Sequence, residues 1–428
     1  MSDQKTFRIA TLGCRTNQYE SQGYRTQLES LGLVPAKADE SADVCIINTC
    51  TVTEAADSDS RHKIRRLVRN NPGSKVVVTG CLAERNPALA EEVEGIDLLV
   101  PNKGKEQLIE LLYPDIENYP EFIIDQFEGH TRAFIKIQDG CNSFCTYCII
   151  PYVRGRSRSR KVTDILREIE GLVRQGYKEV VITGINVGDF DGGVDKGEAP
   201  VSLATLIREV DKVDGLERIR LSSIDPDEVD DDLADAVLNG KKTCHSMHIV
   251  LQAGSNAILK RMNRKYTRQV FMETVERLRE ASPRFTFTTD VIVGFPGEME
   301  RDFQETIEVM EQVEFAKVHM FPYSDRPRTR ANLYTNKVTS AVIKERKQLL
   351  LRKAEEVAYR LRERFVGETM RVLTEKTSDN NKTIGHTENF LPVVIKDYSL
   401  PSNELITVQL TQNTPEGLVG QLVGEEVF

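Results

Sequence analysis

Three cysteines, Cys141, Cys145 and Cys148, stand at Cys-x3-Cys-x2-Cys spacing. Thiolate is a preferred soft ligand of iron–sulfur clusters, so these residues can hold three irons of a [4Fe–4S] cube. The fourth iron then has no protein ligand and can bind a small molecule. A zinc knuckle is the alternative, but no His or Cys follows closely enough to complete a compact zinc site. The spacing therefore favours a cluster with one open iron.

The same run resembles the CxxxCxxC motif of radical S-adenosylmethionine (SAM) enzymes, in which an aromatic residue, here Tyr147, lies between the last two cysteines. An apolar, strand-like stretch at 133–137 directly precedes the motif, so we expect a strand to end there and present it. The resemblance implies reductive cleavage of SAM to a 5′-deoxyadenosyl radical.

A second set of cysteines, Cys14, Cys50 and Cys81, follows three apolar runs that are rich in β-branched residues and predict buried strands. These runs span 7–13, 44–49 and 76–80. Helical patterns at 20–31 and 60–69 lie between them, which predicts a parallel α/β sheet. Ligands bind at the carboxyl ends of such strands, so we expect the three thiols to converge on a second cluster. The alternative is three ordinary buried thiols, which the repeated position beyond a strand disfavours.

The remaining cysteines and the composition indicate a reducing environment. Cys45 lies inside a strand-like run and is predicted to pack in the core, and Cys244 has no evident partner. We find no pattern of a secretory signal and no apolar run long enough to span a membrane, so a cytoplasmic location without a membrane partner is predicted. The net charge of -9 argues against a global nucleic-acid binder but leaves room for local basic patches.

Two basic segments are candidates for such patches. The run 154–161 carries Arg154, Arg156, Arg158 and Arg160 without an acid, six residues after the last cysteine of the motif. We predict that these arginines clamp an RNA backbone or the SAM carboxylate. The helical run 61–69 adds Arg65 and Arg66, for which a solvated helix face is the alternative.

The middle of the chain alternates strand and helix patterns, which predicts a partial (β/α)6 barrel with its active face at the carboxyl ends of the strands. The predicted strands are 133–137, 179–183, 218–222, 247–251, 286–293 and 316–321. Polar or glycine-rich residues follow each strand. From these we predict contacts to SAM by Gly184, Asn186, Ser222, Gln252 and Gly294.

The carboxyl-terminal region begins with a charged helical pattern at 341–364. Five short strand patterns follow, which predict a small β-barrel of the oligonucleotide-binding kind. Acids outnumber bases in 363–428, a balance that disfavours general RNA binding. A chain of 428 residues is also long for a single core and indicates two or three domains.

Over nearly its whole length the chain resembles the methylthiotransferase family of radical SAM enzymes. The runs 13–20, 48–53 and 153–160 resemble the branch that acts on N6-threonylcarbamoyladenosine in tRNA. The resemblance implies an amino-terminal cluster domain at 1–118, a radical SAM core at 127–360 and a TRAM barrel at 363–428. It also implies two [4Fe–4S] clusters and methylthiolation of carbon 2 of the modified adenosine next to the anticodon.

The implied chemistry suits both cysteine sets. The C2–H bond of adenine is not acidic, so a radical route is needed. The Cys141 set would bind and cleave SAM, and the Cys14 set would present a methylated sulfur. The partners would be a tRNA anticodon stem-loop, an electron donor such as flavodoxin or ferredoxin, and a sulfur source. One departure from the family is the run 324–329, Ser-Asp-Arg-Pro-Arg-Thr, where Ser-Pro-Arg-Pro-Gly-Thr is common.

Three other functions remain open from the sequence. The same machinery could act on N6-isopentenyladenosine in tRNA, or on an aspartate of a ribosomal protein. The basic helix and loop are less expected for the ribosomal-protein substrate. The third alternative is a non-catalytic RNA-binding protein with structural metal.

Overall fold

The structure is a computed structural model that describes residues 4–195, 197–377, 382–396 and 399–423. Contacts divide it into two compact units. The amino-terminal unit comprises the described residues of 1–128, 138–158 and 324–332, and the carboxyl-terminal unit comprises those of 129–137, 159–323 and 333–428. Both cysteine sets fall in the amino-terminal unit. The three domain boundaries given above remain a prediction.

The amino-terminal unit contains a parallel sheet of five strands in the order β2-β1-β3-β4-β5. Its strands are β1 Thr6–Thr11, β2 Val34–Pro35, β3 Val44–Thr49, β4 Lys75–Gly80 and β5 Leu98–Val100. Its first helices are α1 Arg15–Ser30, α2 Glu54–Asn70, α3 Cys81–Arg85, α4 Leu89–Glu92 and α5 Leu108–Leu112, and a 3-10 helix covers Asn102–Gln107.

The central strand β3 explains why this sheet needs helices on both faces. All six of its residues are buried, as expected of a continuous apolar run in a parallel sheet. Ile46 packs with Tyr24 and Leu28 of α1, and Ile47 packs on the other side with Ile64 of α2. Cys45 lies in that second cluster, which confirms its predicted packing role.

Helices α1 and α2 both begin earlier than their apolar patterns predicted, at Arg15 and Glu54. The Thr53 hydroxyl accepts a hydrogen bond from the Ala56 N–H at 3.1 Å and caps α2. The first turn of α1 is polar yet buried, so it shows no apolar periodicity. As a result Cys14 is the residue that immediately precedes α1.

Short elements surround the cysteine motif. Strand β6 spans Ala133–Lys136, β7 spans Gln138–Asp139, α6 spans Ile150–Val153 and β8 spans Arg158–Ser159.

The carboxyl-terminal unit contains the predicted six-strand half-barrel, with every pairing parallel. Together with β6, its strands are β9 Glu179–Thr183, β10 Arg218–Leu221, β11 Ser223–Ile224, β12 Ser246–Ile249, β13 Thr286–Val293 and β14 Lys317–Pro322. Strands β10 and β11 are two halves of one predicted strand, interrupted at Ser222. The partial barrel is therefore confirmed.

Six helices accompany these strands: α7 Val162–Arg174, α8 Leu203–Asp211, α9 Asp231–Asn239, α10 Asn256–Arg261, α11 Arg268–Ala281 and α12 Glu300–Val313. Helices α9 and α10 were not predicted. The acidic start of α9 resembles a loop, yet the Asp230 carboxylate accepts from the Leu233 N–H at 2.8 Å and caps the helix.

The chain continues with α13, Ser340–Glu363, and a closed barrel in the order β15-β16-β17-β19-β18. Its strands are β15 Thr369–Glu375, β16 Lys382–Thr387, β17 Pro392–Lys396, β18 Leu405–Thr414 and β19 Gly417–Leu422. Leu361 and Phe365 pack into the barrel core with Val372, Val393 and Val408. The small β-barrel is confirmed; residues 378–381, 397–398 and 424–428 of its predicted domain lie outside the described residues.

Within the described part of the chain, no helix is both long and apolar enough to cross a membrane.

Candidate cluster-binding site

The first cysteine set lies at the carboxyl edge of three neighbouring strands. Cys14 follows β1, while Cys50 and Cys81 directly follow β3 and β4. Gly13 has a φ of +95°, and a Cβ at this position would lie 2.9 Å from the Cβ and 3.1 Å from the Sγ of Cys50. The chain before Cys14 therefore passes directly against Cys50, and glycine is required for that close approach.

The three thiols share one electrostatic environment. Burial, together with the neighbouring thiolates of Cys81 and Cys14, raises the pKa of Cys50 to about 12. Burial also raises the pKa of Cys81. Thiolates at this edge consequently need a positive partner, and a cluster of irons supplies one.

Two amides complete the surroundings of these thiols. The Cys14 Sγ lies 3.8 Å from the Asn17 Oδ1, and the Asn102 Nδ2 lies 3.7 Å from the Cys81 Sγ. Among the described residues, no three His, Cys, Asp or Glu side chains are close enough to hold one metal ion. Three thiols at the ends of neighbouring strands are the donor type that a [4Fe–4S] cluster takes, so the residues present fit such a cluster.

The second cysteine set lies on a loop that folds back on residues 153–158. The Cys141 N–H donates to the Gly155 carbonyl at 3.1 Å, and the Cys148 N–H donates to the Cys145 carbonyl at 3.0 Å. Gly140 has a φ of +76°, and a Cβ there would lie 2.1 Å from the Arg156 carbonyl oxygen. Cys145 is buried, whereas Cys141, Tyr147 and Cys148 are half-buried.

The four arginines of the basic loop have different environments. Arg154 is 3% exposed, and its guanidinium is bonded to the Glu20 and Asp139 carboxylates. This burial contradicts the prediction that Arg154 clamps a phosphate. Arg160 is half-buried; it donates to the Lys136 carbonyl at 2.9 Å and pairs with Glu168.

Arg156 and Arg158 remain exposed, and the Arg156 guanidinium lies 4.2 Å from the centroid of the Phe144 ring. Arg65 and Arg66 are exposed on α2. These four residues keep the accessibility that contact with a phosphate requires.

A cavity of about 630 Å³ beside the basic loop contains cations that sequence reasoning missed. Its lining includes Lys103, Tyr152, Arg158 and Arg328. The Arg328 guanidinium lies 5.0 Å from the centroid of the exposed Tyr152 ring. An aromatic residue beside a basic run is a composition typical of RNA-binding surfaces, and this was the available clue.

The run 324–329, which departs from the family, is anchored in the amino-terminal unit. Arg326 is buried; its Nη1 donates to the Asp57 carboxylate at 2.7 Å and to the Thr51 carbonyl at 3.1 Å. Asp57 also pairs with Arg85 at 2.6 Å. The loop is thus fixed beside the residue that follows Cys50.

The residues predicted to bind SAM follow the strands of the half-barrel. Asn186 donates to the Glu228 carboxylate at 2.9 Å, and the Thr183 hydroxyl lies 3.4 Å from the Ser222 hydroxyl. The Gly294 N–H donates to Glu298 at 2.7 Å, and Gly184 follows β9 directly.

Two polar groups at this edge are perturbed, one by lacking a hydrogen-bond partner and one by a shifted pKa. Gln252 has a φ of +60°, and its buried Oε1 has no hydrogen-bond partner. Burial and the nearby Asp225 carboxylate raise the pKa of Glu228 to about 7. The sequence analysis missed Glu228, although it lies in a polar loop after a strand. Unsatisfied and perturbed groups of this kind are typical of ligand sites.

Two family models match the chain. One is described as the Radical SAM superfamily, at residues 135–310, and the other as Uncharacterized protein family UPF0004, at residues 6–101. The first covers most of the half-barrel and the cysteine motif at 141–148. The second covers the sheet that carries Cys14, Cys50 and Cys81.

Curated relatives match nearly end to end. The threonylcarbamoyladenosine tRNA methylthiotransferase of Chlamydia pneumoniae is 50% identical over 98% of both chains. The enzyme of that description from Bacillus subtilis (strain 168) is 35% identical over 95% of this chain and 93% of its own. A tRNA-2-methylthio-N(6)-dimethylallyladenosine synthase of Finegoldia magna is 34% identical over 98% of this chain and 94% of its own.

Among solved structures, the radical S-adenosylmethionine methyltransferase TsrM of Kitasatospora setae superposes with a TM-score of 0.53 at 17% identity. It covers 74% of this chain and 75% of its own, and at that identity the likeness concerns the fold alone. Together with the near-complete match to the Chlamydia pneumoniae enzyme, these findings show that the chain belongs to the radical SAM methylthiotransferase family, in its threonylcarbamoyladenosine branch.

Proposed function

We propose that this protein methylthiolates carbon 2 of N6-threonylcarbamoyladenosine next to the anticodon of tRNA. The observation that carries the choice of substrate is the 50% identity to a threonylcarbamoyladenosine enzyme over 98% of both chains. The dimethylallyladenosine synthase of Finegoldia magna reaches only 34% over a similar length. The modified adenosine lies in the anticodon stem-loop of the tRNA, and SAM is the co-substrate.

Each cysteine set is proposed to hold one [4Fe–4S] cluster, with Cys14, Cys50 and Cys81 in one and Cys141, Cys145 and Cys148 in the other. When bound, the clusters supply reductive cleavage of SAM and the sulfur for insertion. The chain's own part is to hold and shield these groups. In the first set Cys50 and Cys81 are buried while Cys14 is exposed, and the loop turn at Gly140 presents the second set.

The proposed SAM contacts are Tyr147 in the cysteine motif and five residues at the strand ends: Gly184, Asn186, Ser222, Gln252 and Gly294. Gln252 offers the strongest support, because its buried Oε1 lacks a partner that a ligand N–H or O–H could supply. Glu228 joins this set as an acceptor for a ribose hydroxyl. A flavodoxin or ferredoxin as electron donor, a separate sulfur source and a cytoplasmic location also remain proposals.

The RNA contacts are proposed to centre on Arg156, Arg158, Lys103 and Arg328, with Tyr152 as a stacking surface for an unpaired base. Single-stranded loops are bound by aromatic side chains beside cations, and an anticodon loop is such a substrate. Arg65 and Arg66 of α2 are further candidates. Arg154 is no longer proposed as an RNA contact because of its burial, and Arg160 is not because its guanidinium is already paired.

Mass spectrometry of tRNA nucleosides from a deletion strain tests the substrate. We expect the 2-methylthio derivative of threonylcarbamoyladenosine to disappear while threonylcarbamoyladenosine itself accumulates. Loss of the methylthio derivative of isopentenyladenosine instead would assign the protein to the other tRNA substrate. Unchanged tRNA nucleosides would contradict both assignments.

Salt-dependent binding tests the RNA surface separately. Replacing Arg158 and Arg328 by Gln should reduce the slope of log affinity against log salt by roughly one per lost phosphate contact. Lys37→Gln is the control, because Lys37 is exposed in the same unit and pairs only locally with Glu40. An unchanged slope for the Arg158/Arg328 variant would exclude this surface.

A further inference from the structure

A group of four buried charged residues connects the two cysteine segments. We propose that Glu20, Lys105, Asp139 and Arg154, here called the charged brace, fix the first cysteine set relative to the second and thereby couple radical formation to sulfur insertion. The inference rests on the proposed function for its catalytic meaning, but its geometry lies entirely within the amino-terminal unit.

The brace is a network of mutual ion pairs, which Arg158 extends at 3.9 Å from Asp139. The Arg154 Nη1 lies 3.0 Å from the Glu20 Oε1 and 2.8 Å from the Asp139 Oδ1. The Lys105 Nζ lies 2.7 Å from the Glu20 Oε1 and also contacts Asp139. Each cation thus contacts both carboxylates. All four side chains are at most 8% exposed, so water contributes little to their solvation.

Each member of the brace belongs to a segment that carries or contacts a cysteine. Glu20 lies on α1, which begins directly after Cys14, and Asp139 lies two residues before Cys141. Arg154 lies six residues after Cys148 and follows Val153, a residue that packs against Cys81. The brace therefore connects the chain around one cysteine set with the chain on both sides of the other.

Two amides extend these connections to the thiols. The Asn17 amide oxygen accepts from Arg154 and also lies 3.8 Å from the Cys14 Sγ. Asn102 donates to the Val153 carbonyl at 2.7 Å and lies 3.7 Å from the Cys81 Sγ. A displacement of Arg154 and the adjoining Val153 would thus reach Cys14 and Cys81, each through one amide side chain.

A contribution to folding stability does not by itself explain why four charged residues are buried together here. A buried ion pair is often no more stabilising than apolar residues of similar volume, because both charges lose their hydration. Its distinctive property is geometry: a planar guanidinium between two carboxylates and an amide accepts one arrangement only. Here that arrangement sets the spacing of the two cysteine segments.

The brace also acts on the first set electrostatically. Arg154 donates to the Asn17 amide oxygen, which lies 3.8 Å from the Cys14 Sγ, so a fixed positive charge stands close to this set. A fixed cation beside a reducible, thiolate-ligated group favours its more negative, reduced form. Arg154 is accordingly a positioning residue with a measurable electrostatic effect.

The test uses the full-length protein with Arg154→Met, reconstituted without oxygen. Arg160→Met is the matched control, since it removes an arginine of the same run that pairs with Glu168 in the other unit. We expect Arg154→Met to raise the ratio of 5′-deoxyadenosine to methylthiolated RNA by about tenfold, because small displacements of reacting groups have effects of that size. The control should leave the ratio unchanged.

A second measurement does not depend on tRNA. In protein that carries Cys141, Cys145 and Cys148 replaced by Ala, the one remaining cluster should have a more negative reduction potential with Arg154→Met than without it. Arg154→Lys should restore the potential but not the ratio, because it keeps the charge and loses the planar contacts.

The paired variant Arg154→Met/Glu20→Met keeps the brace neutral and serves if the single variant fails to fold. An unchanged potential together with an unchanged ratio in folded protein would overturn the brace. If the wild-type protein did not methylthiolate the RNA, the proposed function would be wrong. The reduction potential of the remaining cluster would still test the effect of Arg154.

Discussion

The two ends of the half-barrel strands differ in how they affect the pKa of a buried carboxyl group. At the amino end, Glu179 begins β9 and receives three arginines: Arg132 at 2.7 Å, Arg220 at 2.9 Å and Arg218 at 3.7 Å. Burial by itself would raise the pKa of Glu179, but these arginines hold it at about 2. Every charge there has an opposite charge beside it.

The arginines at this end also serve the carboxyl-terminal barrel. Arg218 donates to the Arg371 carbonyl at 2.7 Å, and Arg220 donates to the Glu388 carbonyl at 3.1 Å. The amino end of the half-barrel is thus an ion-paired interface with the barrel within one unit.

At the carboxyl end, the pKa of Glu228 rises to about 7 and the Gln252 Oε1 is buried without a partner. The two ends therefore shift the pKa of a buried carboxyl in opposite directions: arginines lower it at the amino end, and burial raises it at the carboxyl end. The contrast separates a polar network that holds the fold from one that is suited to a ligand. It also agrees with the general rule that catalytic groups of such barrels lie at the carboxyl ends of the strands.

The largest expected effect concerns the second cysteine set, which follows β6 and β7. Replacing Cys141, Cys145 and Cys148 with Ala should abolish SAM cleavage, because no thiolates would remain to hold the cluster that binds SAM. Iron analysis should fall from about two clusters per chain to about one. 5′-Deoxyadenosine formation by this variant would place the SAM site elsewhere.

The first cysteine set should separate the two chemical steps. With Cys14, Cys50 and Cys81 replaced by Ala, reductive SAM cleavage should persist while methylthiolated RNA should be absent. Chromatography of both products from one reaction checks this. Full methylthiolation by the variant would contradict the division of roles between the sets.

Much of this site could be predicted from residue types and spacing. The cysteines at the strand ends followed from short apolar runs, since a parallel sheet brings the ends of its strands to one edge. The half-barrel and the small β-barrel likewise followed from local patterns of strand, helix and turn.

The charged groups could not be predicted in this way. The sequence predicts an exposed Arg154 because the segment around it carries no acid. Its partner Glu20 lies 134 residues away in the chain. The same applies to Glu179 and Arg220, which are 41 residues apart. Pairing of this kind is created by tertiary packing, and no local pattern records it.

Glu179→Gln tests the structural end of the comparison. It removes the carboxylate that three arginines share, and among the described residues only Arg132 keeps a second ion-pair partner, Glu375 at 2.5 Å, so the free energy of unfolding should fall by roughly 3–5 kcal/mol. Urea unfolding measures this loss. SAM cleavage per folded molecule should remain at the wild-type value, and a loss of cleavage in folded protein would show that the amino end takes part in the chemistry.

The pH dependence of this variant has a defined sign. The folded pKa of Glu179, about 2, lies below its unfolded value of about 4.3. Its stabilisation is therefore present above about pH 4.3 and is lost as pH falls toward 2. The difference between wild type and Glu179→Gln should shrink over that range.

Glu228→Gln should show the opposite pH dependence. The folded pKa of about 7 lies above the unfolded value of about 4.3, so the contribution of Glu228 to stability is present below about pH 4.3 and is lost as pH rises to 7. As pH rises through this range, the free energy of unfolding of the variant should increase relative to that of wild type by at most about 1.4 kcal/mol per pH unit. Thermal unfolding across pH 5 to 8 checks the sign, and a constant difference would show that Glu228 does not titrate there.

The most direct test of the account is a reaction in vitro with two anticodon stem-loops, one carrying N6-threonylcarbamoyladenosine and one carrying N6-isopentenyladenosine. Reconstituted protein, SAM, a sulfur source and a reductant are supplied without oxygen, and the RNA is digested and analysed by mass spectrometry. The account predicts a methylthio group on the threonylcarbamoyladenosine RNA only, and none with the Cys14, Cys50 and Cys81 variant. Methylthiolation of the isopentenyladenosine RNA alone would contradict it.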